Sequence, residues 1–140
     1  MPRMLSNAPC AISFYDKISD SRITLHYRMP TTSERIAYNN SLVTRKGLKV
    51  KSNVGETRQK FGLLILTGFE KGAFCDAAGN VIASEASEPG YDAAWRELVR
   101  QYAPDLVDAL AVHAFETSVM RDDDDPENGD DADAADENPT

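Results

Sequence analysis

From Asp122 to Thr140 the chain carries ten acidic residues and no basic one, and its only apolar side chains there are alanines and the prolines Pro126 and Pro139. A run of this kind buries too little apolar surface to offset the entropy of ordering it, so residues 122–140 are expected to form a disordered acidic C-terminal tail. Any core must therefore come from residues 1–121. A solubilising role suits such a tail, and so does an acidic arm that covers the protein's own basic segment or mimics a polyanion.

Removing the tail changes the electrostatic picture of the rest. The whole chain has a net charge of −8, but residues 1–121 hold 13 acids and 15 bases. Polarity then shifts along the body: residues 22–60 have nine bases and two acids, a net of +7, whereas residues 61–121 have four bases and nine acids, a net of −5. No window approaches the ~18 consecutive apolar residues of a membrane span, and the first residues lack the apolar stretch of a signal peptide. Neither a membrane nor a secreted reading is expected. Cys10 and Cys75 are too few for a disulfide framework, and with two histidines they offer little to a metal centre.

Residues 1–21 show no sustained period and are expected to be an N-terminal arm. Ile23, Leu25 and Tyr27 alternate with Arg22, Thr24, His26 and Arg28, the pattern of a half-buried strand. Thr31 followed three residues later by Glu34 is a capping box, which predicts a helix over 32–45 with Ile36, Tyr38, Leu42 and Val43 on its apolar stripe and Gly47 beyond its end. Residues 49–53 read as a basic loop. A second helix is expected over 55–68, nearly continuously apolar at Phe61, Leu63, Leu64, Ile65 and Leu66 and so buried in a core or against a partner. Residues 74–83 read as a β-hairpin turning at Gly79-Asn80.

The last third predicts two helices. Asp92 is placed as an N-cap, Trp95, Leu98, Val99 and Tyr102 follow as a stripe, and Pro104 with Asp105 opens the next helix, whose stripe is Leu106, Val107, Leu110 and Ala114 and extends to Val119. The expected fold is mostly α (α+β): about four helices with a short N-terminal strand and one β-hairpin, in a single domain over 22–121.

No chemistry-bearing motif stands out. Neither cysteine has a local catalytic signature, His113 is expected half-buried on the last helix, and His26 lies on the polar face of its strand. The glycines match neither a P-loop nor a dinucleotide fingerprint. Asp122–Asp125 lacks the ligand spacing of a calcium loop. No catalytic, cofactor or metal site is predicted, and the protein is expected not to be an enzyme. Arg45, Lys46, Lys49 and Lys51 form the most basic stretch. Without interleaved aromatics and in an anionic chain, they suit a solvated loop or an acidic protein partner better than nucleic acid. These four, with Phe61, Leu64 and Ile65 of the apolar run, are the candidate partner-binding residues.

The order of elements carries a resemblance. The strand 22–28 runs into Met29-Pro30-Thr31-Thr32-Ser33-Glu34-Arg35-Ile36-Ala37-Tyr38, then the apolar helix Phe61-Gly62-Leu63-Leu64-Ile65-Leu66-Thr67-Gly68, a Trp95-bearing helix and an acidic end. Residues 22–120 in this order resemble the tail assembly chaperones of long-tailed bacteriophages. The resemblance implies a non-enzymatic helper in the host cytoplasm, absent from the mature virion. Such a helper coats the tape measure protein and recruits tail tube subunits. Self-association between the basic and acidic halves of the body fits the same reading. The alternatives are a structural tail or head-tail joining component, or an acidic inhibitor that mimics nucleic acid.

Overall fold

The computed structural model describes residues 8–116 together with Pro2, Leu5 and Ser6. The expected acidic tail lies outside the described residues, as does Val119. Strand β1 (Cys10–Asp16) and strand β2 (Ser21–Tyr27) form an antiparallel hairpin, and β5 (Leu66–Phe69) pairs with β2 on its other side, giving the order β1-β2-β5. The expected arm therefore contains a sheet strand. Cys10, Ile12 and Phe14 turn towards the core while Ala11, Ser13 and Tyr15 face solvent. The apolar Ala11 and Tyr15 on the solvent face dilute that alternation and hide the strand from a period-2 reading. The central strand β2 follows the sequence expectation, with Ile23, Leu25 and Tyr27 all buried.

Helix α1 (Thr32–Ser41) starts at the predicted capping box. The Thr31 hydroxyl accepts from the Glu34 amide at 3.1 Å, and the Glu34 carboxylate accepts from the Thr31 amide at 2.9 Å. The same carboxylate takes both Arg28 guanidinium nitrogens at 2.7 Å, which holds Glu34 down at about 2. The helix stops earlier than expected, and only Tyr38 of its predicted stripe is buried; Ile36 and Val43 are exposed. β-Branched Val43 and Thr44 leave the helix for strand β3 (Val43–Lys46), which pairs with β4 (Lys49–Ser52). Lys46 faces Lys49 across a two-residue loop, and Gly47 has φ 61° as the first central residue of a type II′ turn requires. Gly47 thus turns a hairpin rather than ending a helix, and the basic stretch expected as a loop is its second strand.

Helix α2 (Val54–Ile65) is also shorter than predicted. Arg96 donates to the carbonyls of Leu63 and Leu66 at its end, where the chain straightens into β5. Gly62 lets α2 touch α4 (Pro104–Ala111): a Cβ there would stand 2.7 Å from both Val107 Cγ1 and the Val107 carbonyl oxygen. Strands β6 (Phe74–Cys75) and β7 (Val81–Ile82) form the expected hairpin. Helix α3 (Trp95–Tyr102) and α4 follow, and a π-helical turn spans Val112–Glu116.

The mostly helical expectation is therefore corrected. The described chain is an α+β fold with four α-helices and three small antiparallel sheets containing seven strands. One face of the β1-β2-β5 sheet packs on α2, α3 and α4 through Ile23, Leu25, Ile65, Phe69, Trp95, Val107 and Leu110. A satellite cluster joins α1 to the chain's last described turn: Tyr38 stacks on Phe115 at 4.4 Å between ring centres, and Phe61 meets both edge-on.

Candidate functional site

Two surfaces stand out, and they are chemically opposite. The first is the β3–β4 hairpin. All eight strand residues are exposed, and the ten residues from Val43 to Ser52 include four bases and no acid. The register puts Thr44 opposite Lys51 and Lys46 opposite Lys49, so Lys46, Lys49 and Lys51 share one face. Val43, Arg45 and Val50 share the other. Like charges directly opposite each other destabilise an isolated hairpin. Among the described residues, the ion pairs are Arg28–Glu34, Arg58–Glu116 and Arg100–Glu97, none of them on this hairpin. At its tip Leu48 is fully exposed. The hairpin is thus a projecting cationic finger with an apolar end.

The second surface is a groove of about 880 Å³ on another part of the molecule. Its floor is Ile23 of β2, Phe69 of β5, Phe74 of β6 and Trp95 of α3; Phe69 meets Phe74 and Trp95 edge-on at 4.7 and 5.7 Å. Its walls are Ile82, Tyr91, Leu98 and Tyr102, with Ile18 at the β1–β2 turn. Charge along it is of one sign among the described residues: Asp16, Asp76, Asp92 and Asp105 line it, and no described Lys or Arg does.

Local folding explains where those carboxylates sit. Asp16 closes the β1–β2 turn, accepting from the Ser19 hydroxyl at 2.6 Å and from the amides of Ser19 and Ile18. The Ser19 hydroxyl and those amides hold its carboxyl below the ordinary value. Asp76 shapes the β6–β7 turn by accepting from the amides of Ala78 and Asn80 at 2.9 Å, and these bonds, that of Asn80 first, lower its carboxyl likewise. Asp92 accepts from the Ala94 amide at 2.9 Å, one step before α3. Turn-making aspartates therefore also give the groove its negative edge.

The sequence-predicted site residues divide between these surfaces and the interior. Arg45, Lys46, Lys49 and Lys51 come together on the finger. Phe61 and Ile65 belong to the two core clusters, 4% and 0% exposed, because α2 is covered by α1 on one side and by the sheet and α4 on others. Of the three apolar candidates, Leu64 alone reaches solvent. The groove itself was missed. Its one sequence signal was the Trp95–Tyr102 stripe, which looked like ordinary core; Trp95 and Val99 are buried, whereas Tyr102 is 74% exposed. His113 is half-buried, edge-on to Tyr27 at 5.9 Å, as its helix position suggested.

Cys10 and Cys75 are free thiols, and Cys75 is exposed beside the groove. Among the described residues no group of His, Cys, Asp and Glu is arranged to hold a metal ion, and no helix is long and apolar enough to cross a membrane. Comparison of the chain with protein-family models, with curated proteins and with solved structures finds no match.

Proposed function

We propose that the protein is a non-enzymatic assembly chaperone that holds an apolar segment of a long helical client in its acid-edged groove. The observation that carries this reading is the groove: aromatic and aliphatic side chains line it, and the charges that the described residues bring to it are all negative. An amphipathic helix that presents an apolar stripe beside basic residues fits that chemistry, the mode in which a helix lies in a hydrophobic groove and anchors through residues at helical spacing. Following the resemblance of residues 22–120, the client is the phage tape measure protein, and tail tube subunits are recruited to the complex in the host cytoplasm. A helper of this kind leaves the particle once the tail is built.

The test pairs binding with particle composition. The full chain should co-purify with a helical fragment of the tape measure protein from the same genome. Tyr91→Glu and Tyr102→Glu, which alter exposed groove walls rather than the core, should abolish capture while leaving the melting temperature close to the parent's. Mass spectrometry of purified particles should then find the tape measure protein and not this chain. Detection of the chain in finished particles at fixed stoichiometry would instead make it a structural component.

A further inference from the structure

We propose that, in the absence of client, the tip of the β3–β4 finger of one copy seats in the groove of a second copy, so that the protein associates head to tail. The two surfaces are complementary in both charge and polarity. Leu48 is a fully exposed apolar side chain at the end of a two-residue turn, flanked by Lys46 and Lys49. The groove offers apolar walls with aspartates at Asp16, Asp76, Asp92 and Asp105 and, among the described residues, no base to repel the lysines. The bonds that fix Asp16 and Asp76 in their turns, the Ser19 hydroxyl first for Asp16 and the Asn80 amide first for Asp76, hold both carboxyls below the ordinary value.

The geometry fixes the type of assembly. No residue of α1, β3, β4 or α2 lines the groove, so finger and groove are separate patches on one copy. Two different patches meeting make a heterologous contact, and each added copy leaves one finger and one groove free; open chains or rings result. A client helix competes for the groove and shortens them. The inference goes beyond the client-binding reading, since a groove can take a client without taking a finger.

The acidic run is the rival occupant of the finger. Glu116 is tied to Arg58, near the start of α2 and close in sequence to the end of β4. The last described residue is therefore held on α2, at a position six residues beyond the end of β4. The acids begin six residues later at Asp122, a span of at most about 20 Å.

Cross-linking decides between these occupants, because Cys75 lies in the groove. Full-length Leu48→Cys in a Cys10→Ser background is treated with a short bismaleimide and run under denaturing conditions. The expected result is a ladder of trimer, tetramer and larger species, reduced to dimers or less when Cys75→Ser is added. It should weaken several-fold at high salt, as screened charge pairs do. A second measurement uses no cysteine chemistry: Leu48→Glu and Tyr102→Glu should each sediment as monomers, and their equimolar mixture should give a dimer and nothing larger. Products that stop at dimer with Cys75 present, or a mixture that stays monomeric, would overturn the proposal. A ladder that appears only after residues 122–140 are deleted would overturn it for the full chain and assign the finger to the acidic run. Client capture by the groove is read separately, by the Trp95 fluorescence of the Leu48→Glu monomer on addition of a helical peptide.

Discussion

Glu116 grips Arg58 through both carboxylate oxygens, Nε to Oε2 at 3.1 Å and Nη2 to Oε1 at 3.0 Å, and also accepts the hydroxyl of buried Tyr38. Three segments distant in sequence, α1, α2 and the π-helical turn, meet in that one carboxylate. Arg35 adds a bond from Nη1 to the Ala114 carbonyl at 3.0 Å. The end of the described chain is thereby fastened to α1 and α2, while His113 and Ala114 of the same turn pack against the sheet.

This arrangement predicts an acid-sensitive fold. Glu34 is lowered from 4.5 to about 2, chiefly by Arg28, and Glu116 is lowered chiefly by Arg58. Groups depressed in the folded state contribute stability above their unfolded value and lose it as pH falls through the folded one. The melting temperature should therefore fall as pH drops from about 4.5 towards 2. The Glu34→Gln/Glu116→Gln variant should be less stable than the parent at neutral pH and show a flatter acid limb. Parallel acid limbs would show that neither pair contributes.

Tyr38 gives the mirror-image effect at high pH. Burial, with the Glu116 carboxylate beside it, pushes its phenol up to about 12. Because the folded value is raised, the associated stability is complete below the ordinary value of 10 and is lost as pH climbs towards 12. Tyr38→Phe should remove part of this alkaline loss, read by thermal melts between those limits.

The α2–α4 contact is intolerant of a methyl group. Gly62→Ala forces a Cβ against Val107 Cγ1 and its carbonyl, so a cost of ~1–3 kcal/mol is expected from chemical denaturation. Val107→Ala in the same chain should recover part of it, since the side-chain clash is removed and the carbonyl clash remains. Full additivity of the two losses would contradict this packing.

Trp95 is 7% exposed and anchors α3 against Phe69, with the Arg96 guanidinium 4.6 Å from its ring centre. Trp95→Ala should cost ~3–5 kcal/mol. Replacing Lys46, Lys49 and Lys51 with Ser should instead change stability by no more than ~0.5 kcal/mol, because the finger buries none of them. A large loss would mean the finger packs on the body.

Local chemistry was legible in the sequence where a few residues decide the outcome: the Thr31/Glu34 cap, the alternation of β2, the β6–β7 turn at Gly79-Asn80, and Pro104 opening α4. Competition between elements was not. Val43 continues the apolar pattern of α1, yet its branched side chain and that of Thr44 favour the strand, and the pairing partner that realises it lies beyond Gly47. Leu66 reads as helix by composition; pairing with Tyr27 draws it into the sheet instead. Phe61 and Ile65 were equally apolar whether buried or partner-facing, and only tertiary packing separates them. The groove is assembled from β1, β2, β5, β6, β7, α3, α4 and the turns between them, so no window of sequence contains it.

Trp95 is the chain's single tryptophan and lies in the groove, so its fluorescence reports the central claim most directly. The full-length protein is titrated with an amphipathic helical peptide carrying an apolar stripe and flanking lysines, with a charge-reversed peptide of the same apolar stripe as control. Saturable change in Trp95 emission with the basic peptide, much weaker with the acidic one and lost in Tyr102→Glu, is the result predicted. Emission unchanged by either peptide, or changed equally in the parent and in Tyr102→Glu, would contradict a client-binding groove.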